Sequence, residues 1–325
     1  MRRAAAGVET RMPTSFCFGV VADVQSCDKA DGHSEGRVQR YRLAPDKLGL
    51  AVESFLALLL PRRATRSAVV NAPRCVLSLG DIIDGRDDEP TSLVDLEAVL
   101  VHFRRLPRET CPPVHVVGNH CLKFISRQRL LAELEQPESS YARHELAPGW
   151  TLLRIDSTDM STHGGWAEST PQAKEAREFA AAHAGESRIQ RYNGGIGAAQ
   201  YAWLEAQLTL ASAAGERVIV ASHHPLLRGA CRETHRAWNG DEVAMLLEAH
   251  AGTVVLALAG HDHIGGFATS RSGVHYVTLE AVLEAPEHGN AFAIIRVHDD
   301  RIVIDGCGTS VTSRVLPIAV RRSLA

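Results

Sequence analysis

The chain has 325 residues, of which 45% are hydrophobic and 22% are charged, and its formal net charge is −3. These are the proportions of an ordinary globular protein, and a pI of about 6.6 gives no electrostatic reason to expect a nucleic acid or an anionic membrane as partner. No apolar segment approaches the roughly 20 residues that span a bilayer.

The two ends of the chain and its cysteines indicate the cellular setting. The N-terminus lacks the apolar region of a secretory signal, so residues 1–14 are predicted to be a flexible tail; an organelle-targeting leader is not excluded. The seven cysteines are scattered and contain no C-x-x-C pair, which favours reduced thiols and a cytoplasmic location. Without a repeat or a linker, residues 1–325 are predicted to form a single domain, and the oligomeric state stays open.

The predicted elements alternate between apolar strands and amphipathic helices along most of the chain. Strands are expected at 16–22, 75–79, 114–117, 150–155, 217–221 and 253–259, and helices at 43–60, 92–106, 130–134, 172–183, 198–210 and 241–249. Three further strand-like stretches follow at 274–279, 291–298 and 301–305, with a hairpin turn at Asp299-Asp300. The polar, glycine-rich segment 157–197 is predicted to be an insertion that could cover a site.

Five of the predicted strands end in side chains that can bind a metal ion. The sets are Asp23 with Gln25, Asp81 with Asp84, Asn119 with His120, His223 with His224, and His261 with His263. A single strand-end Asp or His is usually a cap or part of a turn, but ligands of open α/β sheets bind beyond the carboxyl ends of the strands. Five such sets in succession therefore favour one shared site, and all five are expected at the same edge of the sheet.

The residue types indicate which ions such a site would take. Carboxylate, amide and imidazole ligands without a thiolate favour Mn²⁺, Mg²⁺, Fe²⁺ or Zn²⁺. A carboxylate can bridge two ions, and two ions about 3.5–4 Å apart form the usual clamp for displacement at phosphorus. Asp81 is the expected bridge because it follows a central strand.

These motifs resemble those of the calcineurin-like metallophosphoesterases. The family pattern of Asp-x-His, Gly-Asp-x-x-Asp, Gly-Asn-His, a later His and Gly-His-x-His appears in order at 23–25, 80–84, 118–120, 223 and 260–263. The resemblance implies an α/β fold, a four-layer αββα sandwich of mixed sheets with a dinuclear metal centre at the C-terminal ends of strands. It also implies residue roles. One ion would be held by Asp23, Gln25, Asp81 and His263, and the other by Asp81, Asn119, His223 and His261. His120 would be the catalytic residue, donating a hydrogen bond or proton at the phosphate.

Gln25 departs from the family pattern, because most members have His at this position. A carboxamide oxygen is a harder and weaker ligand than imidazole, so two divalent ions are expected with Mn²⁺ preferred and Mg²⁺ as the alternative, ahead of Zn²⁺. Together with the sequences at 40–42, 193–195, 260–266 and 273–280, this substitution resembles the manganese-dependent ADP-ribose/CDP-alcohol diphosphatases.

The narrower resemblance implies a small-molecule nucleotide diphosphate as substrate. The expected reaction is hydrolysis of the phosphoanhydride bond of ADP-ribose or of a CDP-alcohol (CDP-choline, CDP-ethanolamine or CDP-glycerol) by a metal-bound hydroxide. The products would be AMP or CMP and a phosphorylated sugar or alcohol. A phosphomonoesterase or cyclic-nucleotide phosphodiesterase on the same metal core is the alternative. A scaffold that has lost its metals is disfavoured, because all seven ligand positions carry a competent side chain.

Three residues are candidates for substrate contacts on weaker grounds. Arg42 could contact a phosphate, or its side chain could simply be solvated. Asn193 and Gly195 belong to a glycine-rich stretch before a helix, which could cradle phosphates or form a tight turn. Trp166 and Tyr192 are candidates for stacking on a base.

Two further residues are interpreted as structural. His224 could be an additional metal ligand, but a buried His before Pro225 is favoured. Cys121 follows His120 and could pass for a nucleophile. A buried thiol is the favoured interpretation, because no base with an orienting partner accompanies it.

Overall fold

The computed structural model describes residues 16–60 and 72–319; the predicted tail at 1–14 lies outside the described residues. The strands are β1 (Phe16–Val21), β2 (Gly32–Ser34), β3 (Arg37–Gln39), β4 (Pro73–Ser78), β5 (Pro113–His115), β6 (Ala142–Ala147), β7 (Trp150–Arg154), β8 (Arg217–Ala221), β9 (Val254–Ala259), β10 (Gly266–Thr269), β11 (His275–Thr278), β12 (Ala291–Val297), β13 (Arg301–Gly308) and β14 (Arg314–Pro317). The helices are α1 (Ala44–Leu59), α2 (Glu89–Phe103), α3 (Arg127–Glu133), α4 (Pro171–Ala182), α5 (Ala198–Ala213) and α6 (Gly240–Ala249).

Most of these strands form two six-stranded mixed sheets. The first has the order β14-β13-β12-β1-β4-β5 and the second has the order β10-β11-β9-β8-β7-β6. In the first sheet β1, β4 and β5 are parallel, and in the second β7, β8, β9 and β11 are parallel. The parallel strands are apolar and buried along most of their length, as expected for strands covered on both faces. β2 and β3 pair with each other as a short hairpin.

Three apolar layers show how the sheets and helices stack. The layer between the two sheets contains Phe18 and Leu77 from the first sheet and Leu152, Ile219 and Leu258 from the second. On its other face the first sheet packs against α1, α2 and α3. The second sheet packs in the same way against α5 and α6. The order is therefore helix, sheet, sheet, helix, which confirms the expected four-layer sandwich.

The predicted elements are observed with shifts of a few residues at their ends, and the hairpin turn at Asp299-Asp300 joins the antiparallel β12 and β13. The sequence did not predict β2, β3, β6, β10 and β14. These strands are short or lie at sheet edges, and most of their side chains are only partly buried, so apolar alternation is weak. Within the described ranges, no helix combines the length and apolarity needed to cross a membrane.

Candidate metal centre

The loops that follow β1, β4 and β5 meet the loops that follow β8 and β9. Main-chain hydrogen bonds hold neighbouring loops together. The N–H of Gln25 donates to the carbonyl of Asp81 (2.8 Å), and the N–H of Gly260 donates to the carbonyl of His223 (3.0 Å). The sequence reasoning placed all five sets at one sheet edge. The structure divides them between two facing sheets, so side chains approach the site from opposite sides.

Four hydrogen-bond acceptors converge beside Asp81. The Nδ1–H of His223 donates to the carbonyl of Leu79 (2.8 Å), because a carbonyl oxygen can only accept. Burial disfavours the charged form of this ring, but the adjacent Asp81 carboxylate outweighs burial and raises the pKa of His223 to about 9. In the neutral ring, which is the form that binds a metal ion, the Nε2 atom carries a lone pair. It lies 3.2 Å from Asp81 Oδ2 and 3.0 Å from Asn119 Oδ1. The Nδ1 atom of His261 lies 3.2 Å from the same nitrogen.

Asn193 determines which nitrogen of His261 faces this point. The Asn193 amide nitrogen donates to the carbonyls of Arg188 (2.8 Å) and Thr234 (2.9 Å), which fixes the orientation of the amide. Its Oδ1 then accepts from Nε2–H of His261 (2.7 Å), so the lone pair of His261 is on Nδ1. When the His223 ring is neutral, two imidazole lone pairs and two side-chain oxygens thus face one another. Such a set is suited to a cation.

A similar set lies on the other side of Asp81. The Nδ1–H of His263 donates to Glu284 Oε1 (3.1 Å), which leaves the lone pair of the neutral ring on Nε2. This nitrogen lies 3.1 Å from the amide nitrogen of Gln25 and 3.7 Å from Asp23 Oδ1. Rotation of the Gln25 amide about its Cγ–Cδ bond exchanges its oxygen and nitrogen. These three side chains can therefore present two oxygens and one imidazole nitrogen to a second ion.

Two buried carboxylate oxygens give the strongest indication of a cation. Asp23 and Asp81 are 0% exposed, and among the described residues no group donates a hydrogen bond to Asp23 Oδ1 or Asp81 Oδ2. The other oxygen of each accepts a main-chain N–H, from His261 (2.9 Å) and from His120 (2.7 Å), respectively. Burial raises the pKa of Asp23 to about 6. Coordination of a divalent ion compensates the cost of burying these charges.

The backbone is strained at several of these positions. Asp23, Gln25, Asp81 and His261 have φ angles of 48°, 45°, 44° and 66°, in the left-handed region that costs a non-glycine residue about 1–3 kcal/mol. The approach of the chains is also close, because a Cβ atom at Gly118 would lie 2.1 Å from Asp81 Oδ1. Four of the seven non-glycine residues with positive φ in the described ranges lie in this cluster, and clustering of strained residues is typical of a functional site.

His120 lies at the edge of this cluster and is positioned by Asp84. Its Nδ1–H donates to Asp84 Oδ1 (2.7 Å), and its ring lines the adjacent cavity. Lys29 and Lys123 also pair with Asp84. Burial favours the neutral form of this carboxyl group, but hydrogen bonds and nearby positive charges outweigh burial and hold the pKa of Asp84 well below its usual range. The charged carboxylate fixes the ring so that Nε2 is left for a ligand.

A cavity of about 210 Å³ opens directly above the cluster. Its floor includes Gln25, His120, His261 and His263. Its walls carry charged and aromatic side chains from other loops: Glu35, Arg37, Tyr192, Arg232, His235 and Glu284. A small molecule in this cavity can therefore reach the metal-binding groups and the ring of His120 at the same time.

Comparison with known proteins agrees with this geometry. The sequence pattern of the calcineurin-like phosphoesterase family matches residues 50–265. The chain belongs to this family. A crystal structure of a dimetal phosphatase from Danio rerio superposes with a TM-score of 0.81 at 30% identity, covering 94% of this chain and 99% of that one.

Curated relatives of this phosphoesterase share one name. A manganese-dependent ADP-ribose/CDP-alcohol diphosphatase from Arabidopsis thaliana is 32% identical over 317 residues, covering 92% of this chain and 96% of the relative. The protein of the same name from Homo sapiens is 30% identical over 324 residues, covering 90% of each chain. The likeness therefore extends well beyond the family domain at 50–265, and the chain is a metal-dependent hydrolase.

The structure brings together every residue predicted to bind a metal, and it adds the side chains that orient them. Asn193 orients His261, and Glu284 orients His263. Asn193 was singled out in the sequence for another role, within its glycine-rich stretch. Glu284 carried no sequence signal, because only the folded chain brings it to the ring that it binds.

Arg42, Asn193 and Gly195, the three predicted substrate contacts, are not among the residues that line the cavity. Arg42 is exposed and pairs with Asp28 (2.7 Å) instead of lining the cavity. Asn193 is fully buried, with its amide used by the hydrogen bonds described above. Gly195 packs against Asn239, whose Oδ1 would lie 2.5 Å from a Cβ atom at this glycine. Its small size therefore has a packing explanation.

Of the four other residues singled out in the sequence, one lines the cavity and three do not. Tyr192 lines the cavity, whereas Trp166 donates to the carbonyl of Asp159 (2.8 Å) and lies in a different pocket. The nitrogens of His224 are within hydrogen-bond distance of Ser157 Oγ (2.8 Å) and of a main-chain oxygen (3.1 Å). Because both ring nitrogens have protein partners, a structural role fits His224 better than metal ligation. Cys121 is buried, and burial raises its pKa to about 12.

Proposed function

We propose that this phosphoesterase hydrolyses the phosphoanhydride bond of ADP-ribose and of CDP-alcohols such as CDP-choline, CDP-ethanolamine and CDP-glycerol. The products are AMP or CMP and a phosphorylated sugar or alcohol. The observation that carries the proposal is the match to diphosphatases of one name over 90% or more of the chain. The charged cavity above the metal-binding residues supports it, because a small anionic substrate fits that position.

Two divalent ions with manganese preferred are the cofactors of the proposed enzyme. Asp23, Gln25, Asp81 and His263 would hold one ion, and Asp81, Asn119, His223 and His261 would hold the other. The relatives named above are manganese-dependent, and the Gln25 carboxamide favours a harder ion over zinc. The unpartnered oxygens of Asp23 and Asp81 lie where these ions need negative charge.

When bound, the ions supply a lowered pKa for bound water and neutralise charge on the phosphoryl oxygens. The residues of the chain provide orientation and one hydrogen bond. Asp84 holds the His120 ring by its Nδ1–H. When the ring is doubly protonated, its Nε2–H donates to a phosphoryl oxygen as charge develops there. A phosphate leaving group departs as a stable anion, so His120 stabilises charge more than it supplies a proton.

A substrate panel tests this proposal. ADP-ribose, CDP-choline, CDP-ethanolamine and CDP-glycerol are compared with p-nitrophenyl phosphate and cyclic AMP, with Mn²⁺, Mg²⁺ and Zn²⁺ supplied separately. We expect the highest kcat/KM for the diphosphates with Mn²⁺, and release of AMP or CMP. Reaction in ¹⁸O-labelled water then identifies which phosphorus atom is attacked, from the product that carries the label. A higher kcat/KM for p-nitrophenyl phosphate or cyclic AMP would instead favour the alternative enzyme.

A further inference from the structure

At the mouth of the cavity the carboxylate of Glu35 lies between two arginine side chains. Arg37, on β3, and Arg232, in the loop after β8, both line the cavity. The Glu35 carboxylate pairs with Arg232 through Oε2, and the same oxygen lies 3.8 Å from Nη2 of Arg37. Two guanidinium groups that share one anionic oxygen form the kind of arrangement that also binds a phosphoryl group.

The two arginines are held to the cavity walls by other carboxylates. Nε and Nη2 of Arg232 donate to Oδ1 of Asp262 at 2.9 and 2.7 Å, and Asp262 is 0% exposed. Arg37 Nη1 lies 2.7 Å from Glu284 Oε2, and the Glu284 side chain is 6% exposed. Both guanidinium groups are therefore anchored from behind, independently of Glu35.

Glu35 is held much less firmly than the groups around it. Its side chain is 56% exposed, and it occupies the turn of the β2–β3 hairpin with a φ of 49°, followed by Gly36 at 79°. An ion pair as exposed as this one contributes little to the stability of a protein. Glu35 can consequently leave the arginines when a stronger anion arrives.

We propose that Arg37 and Arg232 bind the second phosphoryl group of a diphosphate substrate, at the position that Glu35 fills in the free protein. This inference rests on the proposed function. One phosphoryl group of a phosphoanhydride is bound at the metal centre, and the other is attached to it through a single bridging oxygen. It therefore falls within the same cavity. A phosphomonoester has no such group, so the pair of arginines selects diphosphates and Glu35 competes with them.

The test compares two nucleotides that differ in the second phosphoryl group. Dissociation constants of α,β-methylene-ADP and AMP are measured by calorimetry on the manganese-loaded protein. We expect Arg37→Gln and Arg232→Gln each to weaken binding of α,β-methylene-ADP about tenfold, the effect of one lost charge-assisted hydrogen bond. Their effect on AMP should be less than twofold. Glu35→Gln should act in the opposite direction and tighten binding of α,β-methylene-ADP about two- to fivefold.

Kinetics and a matched control complete the design. The arginine variants should lose kcat/KM for ADP-ribose but keep that for p-nitrophenyl phosphate. As controls, Arg104→Gln and Glu97→Gln remove an exposed ion pair outside the cavity. These variants should change neither the dissociation constants of the two nucleotides nor kcat/KM. Manganese content and circular dichroism identify any variant that fails to fold. Glu35 and Arg37 lie on a partly exposed hairpin, so we expect Glu35→Gln and Arg37→Gln to fold. Their binding constants can therefore be measured even if Arg232→Gln fails to fold.

The outcomes separate this inference from the function on which it rests. A wild-type protein that hydrolyses neither ADP-ribose nor a CDP-alcohol contradicts the proposed function, whatever it binds. The inference itself is wrong if the arginine variants weaken both nucleotides equally, which would indicate an effect through Glu284 on the metal ligands. It is also wrong if Glu35→Gln weakens binding of α,β-methylene-ADP.

Discussion

The floor and the mouth of the cavity are built in different ways. The floor rests on the metal-binding residues Asp23, Asp81 and His223, which are 0% exposed and follow strands of two packed sheets. Main-chain hydrogen bonds hold their loops together, and the backbone of Asp23 and Asp81 is strained. At the mouth, Glu35 and Arg37 lie on a two-stranded hairpin and are 56% and 31% exposed. The rigid floor presents acceptors that only a cation satisfies, whereas the mouth presents exchangeable ion pairs. This difference suggests that the reaction type is set by the floor and the choice of substrate by the mouth.

The largest loss of activity is expected from a substitution of Asp81. In Asp81→Asn one negative charge between the two sets of acceptors is lost, so both ions are bound less tightly. We expect kcat/KM for ADP-ribose to fall by at least roughly 10³-fold, more than the loss of a single donor to a transition state typically causes. Elemental analysis should give fewer than two manganese ions per chain. A variant that retains two ions and most of its activity would contradict the role of Asp81.

Removal of the catalytic imidazole should separate chemistry from metal binding. His120→Ala deletes the ring but keeps the main-chain N–H that donates to Asp81. We expect kcat to fall roughly 10²–10⁴-fold while two manganese ions per chain remain. Unchanged turnover would remove His120 from the mechanism, and loss of manganese would make it a structural residue of the floor.

Glu284 connects the floor to the mouth, because it accepts from His263 and pairs with Arg37. Glu284→Gln removes the charge that orients the His263 ring, and loss of such an outer partner typically lowers metal affinity roughly 10–100-fold. The affinity is measured by titration of manganese into metal-free protein. The matched control is Glu280→Gln, which makes the same change at a residue bound to Thr312. If both variants bind manganese equally well, the floor does not depend on Glu284.

The smallest effect on activity is expected from chemical modification of the cysteine thiols. Burial raises the pKa of Cys121 to about 12, and it raises the pKa of Cys17 and of Cys27 to about 11. At pH 8 almost none of these groups is therefore the reactive thiolate. We expect iodoacetamide at pH 8 to leave activity unchanged, as measured before and after treatment. Rapid inactivation, prevented by Cys121→Ala, would place a reactive thiol in the site.

The contrast between floor and mouth also explains what the sequence could predict. The metal-binding residues follow apolar strands at fixed short spacings, so their motifs could be read locally along the chain. The ring orientations could not, because Glu284 and Asn193 lie 21 and 68 residues from the imidazoles that they bind. The mouth was missed for a further reason. β2 and β3 are three residues long and partly exposed, and neither Arg37 nor Arg232 differs in local sequence from a solvated arginine such as Arg42.

The central claim is that two divalent ions share the carboxylate of Asp81. Anomalous diffraction from crystals grown with manganese tests it most directly. We expect two peaks about 3.5–4 Å apart, one beside Asp23, Gln25 and His263 and the other beside Asn119, His223 and His261, with Asp81 touching both. A single peak, or two peaks of which neither contacts Asp81, would contradict the account.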